Sequence, residues 1–388
     1  MSYPSQELDH QVAALLGDAR FRAAVRRALN LPDRVTDNLV FEVPGEDQML
    51  AHSLAHHRDA ALALSQYFSI SIQQFNCFRQ IAEGGFEGRP ENLRVLDFAC
   101  GYGRLLRFMA AWLPNDNLHG AEIQADALAA NKRLFGIEGY RSSSDPDALS
   151  IGQRFDMIWV ASLFSHLPDR LFRAWLGRLH SLLAPGGLLC FSVRDESQFA
   201  GEMPEAGFVY RPESERIPID SSVYGTAWAS EDYVHRAIES AVSAPVECLR
   251  IPRALAMEQD LYVLYDRGRP APVRQERFRR GPWGWVDRMQ RTPDGRVRIQ
   301  GWAGSMDQVR LETVEVRIDG HPARVATGIA RPDVAEAFGN PALEHSGFEF
   351  SAEIPAQGFV EISAICQNEE RGLLYAGPMD TRGTTSNE

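Results

Sequence analysis

Lysine is almost missing: Lys132 is the one lysine in 388 residues, so arginine carries nearly all the positive charge. That leaves almost no room for lysine chemistry such as Schiff-base catalysis or a phosphate-binding P-loop. Cysteine is scarce too. Cys77, Cys100, Cys190, Cys248 and Cys366 lie far apart, odd in number and with no CxxC pair. This excludes a disulfide framework and a zinc site, and points to a reducing compartment. No apolar run approaches the length that spans a bilayer. The first thirty residues read as an amphipathic helix and lack the apolar core and cleavage site of a signal peptide, so a cytoplasmic location is expected. Net charge is −12, and without a positive stripe to displace counterions a nucleic acid is not the expected partner. No membrane span and no metal are expected either.

What is present is ordinary globular material, 44% hydrophobic and 24% charged, long enough for two or three domains. From Glu46 to Glu83 the pattern is helical, with Phe68, Ile72, Phe75 and Phe78 on one face. From Arg94 to Arg267 short apolar runs (RVLDFAC, NLHGAEI, FDMIWVAS, GLLCFSV) alternate with helical stretches, which implies a parallel, doubly wound α/β sheet. RGRPAPVRQERFRRGPWG reads as a linker. Beyond it, DGRVRIQGWA, ETVEVRIDG, SGFEFSAEIP and GFVEISAIC are short alternating runs, the pattern of an antiparallel sandwich. The expected organisation is an N-terminal helical cap at 1–90, an α/β domain at 91–267, a linker at 268–283 and an all-β sandwich at 284–380.

The most informative stretch runs from Val95 to Arg104, VLDFACGYGR. A buried strand enters a turn with Gly101 and Gly103, where glycine lets backbone approach a ligand and reach positive φ. A helix follows from about Leu105, and its first amides favour an anionic group. A dinucleotide fingerprint requires a third glycine or alanine three residues after Gly103, where Leu106 stands, and Asp97 would face a pyrophosphate. S-adenosyl-L-methionine has no phosphate and carries a positive amino group, so Asp97 suits it better.

VLDFACGYGR resembles motif I of the class I S-adenosylmethionine-dependent methyltransferases, with Ala99 in place of the first glycine. GAEIQADAL resembles the second strand, whose terminal acid takes the ribose hydroxyls; here that is Glu122, 25 positions after Asp97. A carboxylate accepting from two vicinal hydroxyls is a bidentate arrangement. SDPDAL places Asp145 near the adenine amino group, although SSSDPD reads equally as a polar turn. FDMIWVASLFSHLPD, LLAPGGLLCFSV and EQDLYVLYDR resemble the fourth, fifth and last strands. The resemblance covers about Arg94 to Arg267. It implies a Rossmann-like doubly wound sheet, mostly parallel with the last strand antiparallel, and a cofactor site of Asp97, Ala99, Cys100, Gly101, Tyr102, Gly103, Glu122, Ile123, Asp145 and Ala161.

Methyl transfer from a sulfonium requires alignment of the acceptor, exclusion of water and, for a hydroxyl, a base. His166, just past the fourth strand, is the candidate base; the competing reading is a histidine that pins the loop before Pro168. Ala161 and Ser162 stand where metal-dependent relatives of catechol type carry a metal ligand. Tyr67 and Gln73 are candidates for a lid over the substrate or for core packing. The segment from Asp195 to Ser230 contributes Tyr210, Tyr224, Thr226 and Trp228, which mix aromatic faces with hydroxyls and suit a sugar ring or form a plain surface flap. The C-terminal region, with Gly301-Trp302-Ala303, Arg331-Pro-Asp-Val334 and Ser346-Gly-Phe348, resembles a β-sandwich module of bacterial surface-polysaccharide glycosyltransferases and methyltransferases. That resemblance implies a small-molecule or glycan acceptor and partner proteins of polysaccharide assembly. Trp283, Trp285 and Trp302 read as core before they read as a sugar platform. A lipid, small metabolite or nitrogen acceptor, and a cofactor-binding scaffold without turnover, are the alternatives.

Overall fold

The structure is a computed structural model, and it describes residues 6–87, 92–212, 220–307, 309–355 and 358–379. The segment beginning at 381 and part of the 195–230 stretch lie outside these residues.

The N-terminal third is helical: α1 (Gln6–Gly17), α2 (Ala19–Leu29), α3 (Asp33–Thr36), α4 (Gln48–His57) and α5 (Ala60–Gly85). The single helix expected over the first thirty residues is two, because the Asp18 carboxylate accepts from Arg20 N at 2.7 Å and starts a second helix there. Such a cap contributes about 1 kcal/mol. Asp47 caps α4 by accepting from the amides of Met49 and Leu50. Arg58, in the left-handed region at φ 53, ends that helix before α5 begins.

The central region follows the order β1 (Val95–Phe98), α6 (Leu106–Trp112), β2 (Leu118–Glu122), α7 (Ala125–Phe135), β3 (Gly139–Arg141), β4 (Phe155–Val160), α8 (Asp169–His180) and β5 (Leu183–Arg194). Then come a hairpin, β6 (Phe208–Arg211) with β7 (Thr226–Ala229), then α9 (Glu231–Ala241), β8 (Val246–Leu255) and β9 (Gln259–Asp266). Seven strands form one sheet in the order β3-β2-β1-β4-β5-β9-β8. β1 to β5 pair in parallel, and β9 runs antiparallel to both of its neighbours. Parallel strands buried on both faces read as unbroken apolar runs, and all four residues of β1 are buried. On one face α8 buries Leu171, Phe172, Trp175, Leu176 and Leu179, one stripe at helical spacing, and Trp175 meets Phe98 at 4.8 Å between ring centres. On the other face Phe78 of α5 meets Trp159 of β4 edge-on at 5.5 Å. The order reverses between β1 and β4, which opens the crevice where ligands bind in such sheets.

The C-terminal region contains β10 (Pro282–Arg291), β11 (Arg296–Ser305), β12 (Leu311–Ile318), β13 (His321–Val325), α10 (Pro332–Phe338), β14 (Gly347–Glu353), β15 (Phe359–Cys366) and β16 (Arg371–Pro378). An antiparallel sheet β10-β11-β14 and a second, β13-β12-β15-β16, bury Val297, Ile299, Val314, Val316, Ile362 and Ala364. The sequence marks Glu361 and Ser363 as outward positions of β15, yet every residue of that strand is buried. The reason lies in α2: Arg27 pairs with the Glu361 carboxylate, and the Arg20 guanidinium lies 4.7 Å from the Phe359 ring.

The chain divides into two compact units, Gln74–Phe278 and Met1–Gln73 with Arg279–Glu388. This differs from a helical cap at 1–90: the helices up to Gln73 cluster with the sandwich strands, because α2 covers a sheet face that would otherwise expose β15. The segment read as a linker at 268–283 is ordered too, with Phe278 buried and β10 starting at Pro282. Among the described residues no helix is long and apolar enough to cross a membrane.

Candidate functional site

The turn after β1 is held from beneath. The amides of Ala99 and Cys100 both donate to Ala121 O of β2, at 2.8 and 3.2 Å. This draws the chain into the left-handed region at Ala99 (φ 61), Gly101 (φ 52) and Gly103 (φ 81). A side chain on Gly103 would collide with Asn131 and Phe135 of α7, at 2.5 Å from each, whereas one on Gly101 would meet open space. Gly103 is thus a packing requirement, and Gly101 leaves room on the ligand side. Asn131 Nδ2 donates to Gly101 O at 2.9 Å, and the Tyr102 hydroxyl donates to Asp126 Oδ2 at 2.6 Å. Cys100 is buried beside them, and burial pushes its thiol pKa upward.

Two carboxylates face this turn. Glu122, 5% exposed, accepts from Gly101 N at 2.9 Å through Oε2 and from the amides of Ile123 and Gln124, at 2.7 and 3.1 Å, through Oε1. Burial raises its pKa, and those three amides oppose the rise. Asp97 is 3% exposed, and its Oδ2 has no hydrogen-bond partner among the described residues. Burial, then the charge of Glu122, pushes its pKa up to about 8. Trp159 stands opposite Asp97 in the β1–β4 register, and its buried Nε1 is also without a hydrogen-bond partner among the described residues. A buried unpaired carboxylate costs several kcal/mol, so this arrangement suits a ligand that brings a cation or donors.

The loop after β4 supplies the next groups. Ala161 is half-buried, and Ser162 takes φ 61. Main-chain bonds stitch the loop to the hairpin: Gly225 N donates to His166 O and Ala227 N to Ser165 O, both at 2.8 Å. The buried His166 ring stacks on Tyr224 at 4.7 Å with a 7° interplanar angle, and its Nδ1 lies 2.6 Å from Gly225 O. A carbonyl only accepts, so Nδ1 carries the proton and Nε2 is the basic nitrogen.

The remaining expected residues each have local contacts of their own. Asp145 is exposed and accepts from Asp147 N at 3.1 Å, capping its own turn. Tyr210 donates to Ser221 O at 2.7 Å, while Trp228 lies 5.2 Å from the Phe199 ring. Tyr67 belongs to the other unit, where its buried hydroxyl donates to Asp47 Oδ2 at 2.6 Å. Trp302 is buried and Trp283 and Trp285 are half-buried around it. Sequence reasoning missed Ser192 and Gln259. A serine inside the apolar run LLCFSV was the available signal for the first.

Residues 96–189 match the family model described as a methyltransferase domain. The match lies within the central unit, Gln74–Phe278, and makes part of that unit similar to methyltransferase domains. A curated relative, the ubiquinone biosynthesis O-methyltransferase of Cereibacter sphaeroides, is 31% identical over 131 residues, 31% of this chain. The chain spans 50% of the length of that relative. Similar solved structures include the glycopeptide N-methyltransferase MtfA complexed with S-adenosyl-L-homocysteine, at 18% identity and TM-score 0.35, covering 50% of this chain and 89% of that one. Another is CalS10, an amino pentose methyltransferase from Micromonospora echinaspora with S-adenosylmethionine bound, at 22% identity and TM-score 0.35, covering 48% and 89%. Within this unit the chemistry of Asp97 Oδ2, which has no hydrogen-bond partner among the described residues, would suit the ammonium of S-adenosylmethionine, and that of Glu122, fixed by three amides, would suit its ribose hydroxyls. Among the described residues no group of three or more His, Cys, Asp or Glu side chains is placed to hold a metal ion.

Proposed function

We propose that this protein transfers a methyl group from S-adenosyl-L-methionine to a hydroxyl acceptor, with His166 as the base. The observation that carries the cofactor is the buried Asp97 Oδ2, without a hydrogen-bond partner among the described residues, beside the left-handed turn of Gly101 and Gly103. When bound, the cofactor supplies an already activated methyl group. Asp97 pairs with its ammonium, Gly101 opens the turn to its methionine end, and Glu122 accepts from its ribose. Ile123, Asp145 and Ala161 line the adenosine side. With Nδ1–H directed at Gly225 O, Nε2 is the basic nitrogen of His166 and is assigned to take the acceptor proton. The acceptor is a glycan or activated sugar, a reading supported by the aromatic and hydroxyl groups of Tyr210, Tyr224 and Trp228 and by the likeness of the C-terminal region to modules of surface-polysaccharide enzymes. Partners of polysaccharide assembly are assigned to the sandwich on that likeness alone.

Calorimetry with S-adenosyl-L-homocysteine tests the cofactor, and micromolar binding is expected. Methyl-labelled cofactor incubated with fractionated cell extract tests the acceptor, and the label is expected in a carbohydrate fraction. No heat with adenosylhomocysteine would overturn the whole reading, while label in a lipid or an amine would overturn the acceptor only.

A further inference from the structure

Gln259, the first residue of β9, lies at the carboxyl end of the parallel strands because β9 runs against them. Opposite residues of paired strands share a face. The register Asp97–Trp159, Trp159–Cys190, Cys190–Val263, followed along β9 by Leu261 and Gln259, therefore puts Gln259 on the same face as Asp97.

The direction of its amide is fixed. Ser162 N donates to Ser192 Oγ at 2.8 Å, which occupies that hydroxyl as an acceptor. The Ser192 proton is then directed to Gln259 Oε1 at 2.6 Å, and Ser162 Oγ donates to the same oxygen at 3.3 Å. The amide oxygen faces inward and Nε2 faces away. Gln259 is 7% exposed; its Nε2 donates to no described residue and is not sealed from solvent. Ser162 adopts a left-handed backbone conformation in this network, which costs about 1 kcal/mol or more in a residue with a side chain. A buried serine, a strained turn and a locked amide thus hold two N–H donors toward the edge of the sheet from which His166 also emerges.

We infer that Gln259 Nε2 is a specificity-determining donor that hydrogen-bonds an oxygen of the methyl acceptor beside the reacting hydroxyl. The inference rests on the methyltransferase reading above. It narrows the acceptor class to molecules with a second oxygen lone pair next to the methylated position, as in a vicinal diol or a hydroxy-carbonyl compound. A site that hydrogen-bonds such an oxygen rejects analogues that lack it.

The test compares the full-length chain with Gln259→Glu, which keeps the oxygen that Ser162 and Ser192 use, and with Gln259→Met. The probes are adenosylhomocysteine for binding and methyl-labelled S-adenosylmethionine for turnover, the latter with serial dilutions of the small-molecule extract of the source cells. Both variants are expected to bind adenosylhomocysteine within about threefold of wild type while apparent acceptor KM rises about tenfold or more. Ser192→Ala, which frees the amide to turn, is expected to raise KM less. Unchanged KM in both Gln259 variants overturns the inference and leaves the methyltransferase reading standing. Weakened adenosylhomocysteine binding with unchanged KM also overturns it, by assigning the amide to the cofactor. A wild-type chain that binds adenosylhomocysteine and labels nothing removes the acceptor reading, and this inference with it.

Discussion

The sandwich strands and the turn after β1 treat buried carboxylates in opposite ways. In the unit that contains the sandwich, Glu361 is held by Arg27, Glu315 by Arg317 and Arg371, and Asp307 by Arg280. These arginines come from sequence neighbours, adjacent strands and a helix more than 300 positions away. In the central unit Asp260 follows the same rule, bound by Arg250. Asp97 and Glu122 do not: among the described residues neither forms an ion pair with arginine or lysine, and only the more distant charge of Arg141 acts on Glu122. Where a carboxylate is a structural tie, the fold provides its counter-ion. Asp47 shows a third case, a buried acid completed by two amides and the Tyr67 hydroxyl; Asp97 Oδ2 has no hydrogen-bond partner of any kind among the described residues, which is what suits it to a ligand. The position of an acid in a strand therefore says less about function than the absence of its partner.

The sharpest way to break this contrast is through the group that acts on the acceptor. His166→Asn removes Nε2 as a base and is expected to lower kcat by 10²- to 10⁴-fold, with adenosylhomocysteine affinity nearly unchanged. Single-turnover kinetics with labelled cofactor check it. A kcat within threefold of wild type would return His166 to the role of pinning the loop to Gly225.

Next in size is Asp97→Asn. Loss of a charge-assisted contact to the ammonium is expected to weaken adenosylhomocysteine binding by roughly 10- to 100-fold. The same acid predicts a pH dependence. Its folded pKa of about 8 lies above the ordinary carboxylate value, so the native state keeps a proton that the unfolded chain has released. That contribution is full below about pH 4 and is lost as pH rises through about 8. Tm of the cofactor-free protein is therefore expected to fall between pH 5 and 8, and Asp97→Asn to remove that part of the slope. Cofactor affinity runs the other way, rising by about tenfold per unit from pH 6 toward 8, because only the ionised acid pairs with the ammonium. Calorimetry in two buffers of different ionisation enthalpy would register the proton released.

In the sandwich unit the matching experiment is Arg27→Met. It leaves Glu361 buried without its counter-ion and is expected to cost about 1–2 kcal/mol, tempered by the partial exposure of the Arg27 side chain. Urea melts at pH 7 check it. No loss there would mean that the tie is decorative and that the contrast fails.

The amino-acid sequence exposes one half of this contrast and hides the other. β1 and β4 are legible because strands buried on both faces read as VLDF and FDMIWV, and an acid within such a run, as at Asp97, stands out as a functional residue. Glu122 is legible for the same reason. β15 misleads: the alternation of FVEISAIC marks Glu361 as outward, and only the distant α2 turns it into a buried position. The grouping of residues up to Gln73 with the sandwich escapes local pattern for that same long-range reason. Gln259 is invisible because its amide direction depends on Ser162 and Ser192, three segments joined only by folding. The break at Asp18 was within reach, since an aspartate after Gly17 is a capping signal.

The smallest effect concerns Ala99, where the turn departs from the motif it resembles. Ala99 stands at φ 61, a conformation that costs a residue with a Cβ about 1 kcal/mol relative to glycine. Its amide, with that of Cys100, is tied to Ala121 O, so the backbone has no freedom to relax the angle. Ala99→Gly is expected to relieve that strain while increasing the entropy of the unfolded chain. The net gain is accordingly under about 1 kcal/mol, a shift of 1–3 °C in Tm for a chain of this size. Because Ala99 lies in the ligand turn and Arg27 does not, adenosylhomocysteine affinity separates the two variants: Ala99→Gly is expected to change it by about twofold to fivefold, and Arg27→Met to leave it alone. A stability loss in Ala99→Gly would show that the methyl group packs usefully against the neighbouring strand, and that the alanine is an adaptation of this turn.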